Sequence, residues 1–244
     1  MSCNSENISL VKINYLLALL RSKAYMIYKK PFELNIVGIR NKNTNPILFD
    51  DSLYVFWKDN DNKWNGRKYK ITTDPSTIYL EKNQSKGVAI LPSGQFFNKF
   101  KIGSHKGQYE ALVQAKNICV YRDFDRNNRL TFNTSAKNCG MFGINIHRAK
   151  TNGADDGKGN TTEIGLYSAG CQVFQNFYCF QEFMGLVKKQ ESIYRNRFFT
   201  YTLVDLWTVN KLNLKRNLFI ITALSGLSVL GYGILLKLKG RKNG

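Results

Sequence analysis

Phe142-Gly-Ile-Asn-Ile-His147 and Tyr167-Ser-Ala-Gly-Cys171-Gln-Val-Phe174 set the reading of the chain. The first is an apolar strand that ends by presenting an imidazole, and the second places serine and glycine just ahead of a thiol. The stretch between them, from Arg148 to Tyr167, is polar and glycine-rich, so it can leave a sheet and return to it. The same texture continues outward as short apolar or aromatic runs: Leu34-Asn-Ile-Val37, Leu53-Tyr-Val-Phe56, Tyr69-Lys-Ile-Thr72, Val88-Ala-Ile-Leu91 and Ile118-Cys-Val-Tyr121. Polar clusters such as Asp59-Asn-Asp-Asn62 and Asn152-Gly-Ala-Asp-Asp-Gly157 separate such runs, which is the pattern of β-strands joined by turns.

Helical spacing is confined to the flanks. Leu10, Ile13, Leu16, Leu17 and Leu20 recur at helical intervals within residues 9–28, and Lys12 and Arg21 keep that helix amphipathic. It lacks the uninterrupted apolar middle and the cleavage site of a signal peptide. Phe177, Phe180, Phe183, Met184 and Val187 predict a second helix over residues 176–190, followed by a β-prone stretch over residues 198–206. Leu218 to Leu236 carries no charge and is long enough to cross a bilayer core of about 30 Å as a helix. Lys211, Lys215 and Arg216 precede it and Lys237, Lys239, Arg241 and Lys242 follow, as headgroup anchors would. Its Ser225, Gly226, Ser228, Gly231 and Gly233 suit close packing against another copy of the same helix. The expected fold is therefore mainly β, with peripheral helices and one C-terminal transmembrane helix. The expected division is a helix over 1–31, a catalytic domain over 32–210 and a membrane anchor over 211–244.

The chain has 36 basic and 17 acidic residues, a formal charge of +19, which implies a polyanionic neighbour. The basic residues are dispersed, and no zinc-finger, RNP or basic-zipper pattern accompanies them, so specific nucleic-acid recognition is not expected. Five cysteines without a CxxC pair, beside two histidines, give little support to a zinc site. A bridge between Cys119 and Cys139 would span a polar loop, although spacing alone does not fix connectivity. Asp123-Phe-Asp-Arg-Asn127 opens like a calcium loop but lacks its glycine and terminal glutamate, so a solvated turn is the better reading. His105 and Cys179 read as ordinary packed residues, with His105 a substitute base only if His147 is dispensable.

A thiol attacks a carbonyl as thiolate, and a neutral imidazole is the usual base near neutral pH. That chemistry selects Cys171 as nucleophile and His147 as base, with Gly170 leaving the approach open and the N–H groups of Gly170 and Cys171 available to an oxyanion. The ordered set His147, Ser168, Gly170 and Cys171 resembles the signature of the L,D-transpeptidase (YkuD-type) family, in which a histidine is followed by a loop and then Ser/Thr-His-Gly-Cys. Ala169 stands in place of the second motif histidine, the loop looks longer than usual, and Val173 replaces a polar residue. Asn35-Ile-Val-Gly-Ile-Arg40 and Val120-Tyr-Arg-Asp123 are similar to segments of bacteriophage wall-active enzymes of the endolysin type.

The resemblance implies a β-rich, cofactor-free enzyme that attacks peptidoglycan stem peptides through a thioester on Cys171. An amine acceptor then gives a transferase and water a hydrolase. It also implies that the Arg148 carbonyl orients the His147 ring, and the position of Arg148 suits its side chain to a substrate carboxylate. With the membrane helix, the expected location is membrane-anchored and facing the cell wall. Two rival readings stand beside it: a membrane-anchored binding or virion protein with an inert Cys/His pair, and a holin-like membrane protein.

Overall fold

A computed structural model describes residues 3–42, 44–82, 85–132, 137–151, 155–195 and 197–206. After a two-residue strand β1 (Glu6–Asn7), the Ser9 hydroxyl accepts a hydrogen bond from the Lys12 N–H and starts α1 (Leu10–Ser22). The apolar stripe read in the sequence is buried at Ile13, Leu16, Leu17 and Leu20. Three strands follow, β2 (Asn35–Arg40), β3 (Asp51–Lys58) and β4 (Trp64–Thr72), then a short helix α2 (Thr77–Glu81). Next come β5 (Val88–Ile90), β6 (Gly94–His105), β7 (Tyr109–Gln114), β8 (Ile118–Asp123), β9 (Lys137–Gly140) and β10 (Ile146–Arg148). A 3-10 turn at Gly165–Tyr167 precedes β11 (Gln172–Phe174), α3 (Phe177–Tyr194) and β12 (Phe199–Asp205).

Nine strands form one sheet in the order β1-β4-β11-β10-β7-β6-β12-β2-β3, and β3 pairs with β4 as well, so the pairings return on themselves. Each of the eight strands from β4 round to β3 therefore has a partner on both sides, with β1 added outside the ring on β4. Two of the pairs are parallel, β10 with β11 and β12 with β2. A parallel pair cannot be joined by a tight turn, and the polar stretch from Arg148 to Tyr167 is the connection that brings the chain back for β11. A second sheet, β5-β8-β9, places Cys119 opposite Cys139, and the two form a disulfide. Cys3 is bonded to Cys179 of α3, fastening the N-terminal segment to that helix.

The architecture corrects the expected mainly-β class: it is a mixed α/β fold, because its helices form part of the core rather than its periphery. Phe180, Phe183, Met184 and Val187 of α3 are buried with strand residues Tyr69 and Phe174. The Phe174 ring lies 5.0 Å from Phe183, 5.5 Å from Phe180 and 5.4 Å from Tyr69, centroid to centroid. Each such buried ring is worth about 2 kcal/mol of apolar transfer, so α3 is as integral as the strands it covers.

Among the described residues no helix is long and apolar enough to cross a membrane. The longest, α3, has 18 residues and carries Gln181, Glu182, Lys188, Lys189 and Glu191. Among the described residues this corrects the expectation of a membrane-anchored topology and of a membrane partner, since none of them supplies an anchor. The Leu218–Leu236 run and its basic flanks lie outside the described residues, as do residues 152–154 of the polar connection. The chain through Asp205 forms one unit that includes α1 as well as both sheets.

Candidate functional site

The hairpin of β6 and β7 and the end of β10 bring both histidines of the chain together. His105 closes β6 and Tyr109 opens β7, directly opposite each other, with Lys106-Gly107-Gln108 making the turn. Lys106 and Gly107 have φ of 52° and 71°, the left-handed region that a tight hairpin turn requires. β7 pairs with β10 at Leu112 and Ile146, and this lays the His105 ring against the His147 ring at 3.9 Å between centroids with 23° between planes.

Hydrogen bonds set the proton positions on these rings. His147 Nδ1 lies 2.7 Å from the Arg148 carbonyl oxygen, which can only accept, so Nδ1 carries the proton. His147 Nε2 is left as a buried acceptor without a hydrogen-bond partner. The Asn145 side-chain amide donates to His105 Nδ1 at 3.0 Å, which puts the His105 proton on Nε2. Burial pushes the His147 pKa down to about 3, with His105 and the Lys106 and Arg148 cations adding to the effect and the Arg148 carbonyl opposing it. Burial, helped by Lys106 and Arg148, lowers His105 to about 4. Both rings are therefore neutral at pH 7.

The Arg148 guanidinium lies over the Tyr109 ring at 3.9 Å and 5.3 Å from the Phe177 ring, and its Nη1 donates to the Ala149 carbonyl at 3.3 Å. The Tyr109 hydroxyl donates to the Arg148 carbonyl at 3.1 Å, and burial raises its pKa to about 12. Arg148 and Tyr109 line a pocket of about 970 Å³ together with His105, Lys106, His147 and Lys150, and among the described residues no carboxylate lines it. Lys150 is also paired with Asp155.

Ser168, Gly170 and Cys171 form a separate, self-bonded turn before β11. The Ser168 hydroxyl donates to the Cys171 carbonyl at 3.0 Å and accepts from the Gly170 N–H at 3.2 Å. The Gly170 N–H is thereby occupied, which removes it from the expected oxyanion hole. Gly170 is required by the fold itself: its φ is +116°, and a Cβ there would meet the Ala89 carbonyl oxygen at 2.2 Å.

Cys171 is the one cysteine outside the two disulfides. Its sulfur donates to the Gly143 carbonyl at 3.3 Å and accepts from the Asn145 N–H at 3.4 Å, and no hydrogen bond joins it to His147. Burial pushes the thiol up to about 11. A neutral imidazole with a pKa near 3 is too weak a base to ionise a thiol near 11, and no thiolate–imidazolium pair is formed. Relative to an ordinary cysteine the thiolate fraction at pH 7 is lower by about a hundredfold. Alkylation of the folded, non-reduced protein with iodoacetamide, followed by intact mass, is therefore expected to be slower at Cys171 by a similar factor than in the urea-unfolded chain. Equal rates would refute this account of the thiol.

The chain matches no family model, no curated protein and no solved structure. With four cysteines bridged and the fifth held as a thiol against backbone, the expectation of a cysteine acyl-transfer enzyme, transferase or hydrolase, is corrected. No match supplies support for catalysis, and none supports peptidoglycan stem peptides as the partner or a cell-wall-facing location.

Sequence reasoning placed His147 and Arg148 in a site, kept His105 only as a substitute base, and missed Lys106, Tyr109 and Asn145. One signal was available: His105-Lys-Gly-Gln-Tyr109 has a glycine-centred turn between two residues able to hydrogen-bond. The other, the stacking of two histidines 42 positions apart in sequence, is a product of strand pairing.

Proposed function

We propose that this chain is a binding protein whose pocket holds an oxyanion-bearing ligand, a carboxylate or a phosphate, with Arg148 as the principal contact. The observation that carries the reading is that Lys106, Arg148 and Lys150 line a pocket of about 970 Å³ and that, among the described residues, no acidic residue lines it. A guanidinium seated on Tyr109 and tied through Nη1 to the Ala149 carbonyl is held in place, so its remaining N–H groups can give charge-assisted hydrogen bonds at little entropic cost on binding. The volume is within the range of small-ligand sites, and the neutral rings of His105 and His147 add hydrogen-bonding capacity without a competing charge. The surplus of basic residues, +19 overall, raises the local concentration of anions.

In this reading the residues singled out in the sequence build a binding site. Arg148 contacts the anion, His147 forms the adjoining wall, and Ser168, Gly170 and Cys171 hold the turn that sets β11 beside β10. We also propose kinship with the L,D-transpeptidase family in this scaffold alone. A histidine-bearing strand, a crossover and a Ser-x-Gly-Cys turn on the next parallel strand support it.

Calorimetric titration with citrate and with inorganic phosphate tests the function. Wild-type protein is expected to bind at least one of them, and Arg148→Gln to weaken that binding by about tenfold or more, the loss of one charge-assisted contact. Equal binding by the variant, or no binding of either anion by the wild type, would remove the basis of the proposal.

A further inference from the structure

A second polar centre lies apart from the pocket, where the start of β3 meets the loop after β4. Asp50, Asp51 and Asp74 each bring a carboxylate oxygen within 4.8 Å of the other two. Asp74 is fully buried. One of its oxygens pairs with Arg40 Nε at 3.2 Å, while Oδ2 is buried without a hydrogen-bond partner. Asp50 shows the same division: Oδ2 accepts from the Asn41 amide at 3.0 Å and Oδ1 is buried and unpartnered. Asp51 is held by the Asn41 and Thr73 N–H groups, both at 2.6 Å, and by the Thr73 hydroxyl at 2.7 Å. Ser76, two residues beyond Asp74, caps no helix N–H with its side chain, and its buried hydroxyl also lacks a partner.

Charge counts the same way. The buried Arg40 guanidinium is the one cation hydrogen-bonded within the group, and it also pairs with Asp205 at 3.3 Å. Four carboxylates thus face the Arg40 guanidinium and, beside Asp50, the Lys70 ammonium, and an unpaired buried carboxylate oxygen is costly unless a proton or a metal ion satisfies it. Every available donor is an oxygen, which selects hard cations over zinc or copper. Carboxylate oxygens within 4.8 Å of one another can share a calcium ion at about 2.4 Å from each, and calcium accepts irregular oxygen geometry where magnesium demands a near-ideal octahedron. Asp50 and Asp51 also line a cavity of about 380 Å³, which gives an ion a route to the cluster.

We propose that Asp50, Asp51 and Asp74 form a calcium site that ties the start of β3 to the loop after β4, with the remaining coordination supplied by water. The ion would neutralise the two excess negative charges and satisfy the oxygens that hydrogen bonds leave open.

The test uses the full chain with its disulfides intact, stripped with EDTA and dialysed. Equilibrium dialysis against CaCl₂ is expected to give one bound ion per chain, and about 1 mM CaCl₂ to raise the thermal midpoint, because a ligand that binds the native state alone stabilises it. Asp74→Asn keeps the shape of the buried side chain. Asp50→Asn, at a half-buried position, is the second variant should the first fail to fold. Each is expected to lower calcium affinity by about tenfold or more, since affinity follows the number of charged ligands. MgCl₂ at the same concentration is expected to shift the midpoint less. The proposal is overturned if the stripped wild type takes up no calcium, or if a folded Asp50→Asn or Asp74→Asn protein binds it as the wild type does. An unchanged or higher thermal midpoint for Asp74→Asn together with no calcium uptake by the wild type also overturns it, since the cluster then holds a proton.

Discussion

Replacing Cys3 and Cys179 together by alanine is expected to lower the free energy of unfolding by about 5 kcal/mol. The bridge closes a loop spanning 176 positions, and the freedom it removes from the unfolded chain grows with the logarithm of that length. The Cys119–Cys139 bridge spans 20 positions, and the same relation gives about 3 kcal/mol for its removal. Hydrogen bonds lie beside the longer bridge. Ser5 donates to Glu182 at 3.0 Å, and Arg67 and Tyr69 each reach the same carboxylate at 3.1 Å. Those bonds keep the N-terminal segment beside α3 in the folded state, so the loss falls mainly on the unfolded side. Denaturant unfolding of the two double-alanine variants measures the difference. A larger loss for Cys119/Cys139 than for Cys3/Cys179 would contradict the loop-length account.

The second large effect is a pH dependence centred on His147. Its folded pKa of about 3 lies below the ordinary value of 6.5, because burial disfavours the charged ring. Above pH 6.5 the ring is neutral in both states and contributes no pH dependence. As pH falls below that value the unfolded chain takes up a proton that the native chain refuses, so stability is lost progressively down to the folded pKa. The slope is about 1.4 kcal/mol per pH unit, which is about 3 kcal/mol between pH 7 and pH 4.5. In calcium-free buffer Asp74 acts in the opposite sense: burial and the neighbouring Asp51 raise its pKa well above the usual carboxylate range. The native state therefore binds its proton more readily, and stability from that source grows as pH falls.

The comparison that isolates the histidine is the difference between the wild type and His147→Gln at the two pH values. The variant is expected to lose about 3 kcal/mol less than the wild type on acidification, whatever its stability at pH 7. Identical losses would mean that the imidazole is not held neutral by the fold. Bound anion would work against this loss in the wild type, since a negative charge beside the rings favours their protonated form.

Several parts of the fold were legible in residue order because each is governed by local periodicity. The spacing of Leu10, Ile13, Leu16, Leu17 and Leu20 placed α1, and Phe177, Phe180, Phe183, Met184 and Val187 placed α3. The apolar runs around Ile36, Val55, Ile71 and Val120 fell within β2, β3, β4 and β8. The longest strand, β6, escaped, because Asn98, Lys99, Lys101, Gly103 and Ser104 dilute its pattern and few of its positions are fully buried. Glycine and lysine at such density read as loop until pairing with β7 and β12 supplies the missing hydrogen bonds.

The candidate site divides along the same line. Residue order alone offered His147, Arg148 and Cys171 as neighbours, since a polar, glycine-rich connection can leave a sheet and return to it. It could not give their protonation, which follows from the density of protein packed around each group. Burial keeps the thiol of Cys171 protonated and the ring of His147 neutral, so the nucleophile and base expected from motif order do not form. Nor could it give the partner ring of His105, the cation–π seat of Arg148, or the meeting of Asp50 and Asp51 with Asp74.

What the sequence determined by itself was local: where the chain is helical or extended, which faces are apolar, and that the molecule is strongly cationic. Those properties depend on side-chain period and charge count within a few residues. Tertiary structure alone decided that α3 belongs to the core, that Cys3 bonds Cys179, that two histidines stack and that one thiol stays protonated. Each of these arises from groups brought together across long separations, where burial and the local field override what any one residue would do in water.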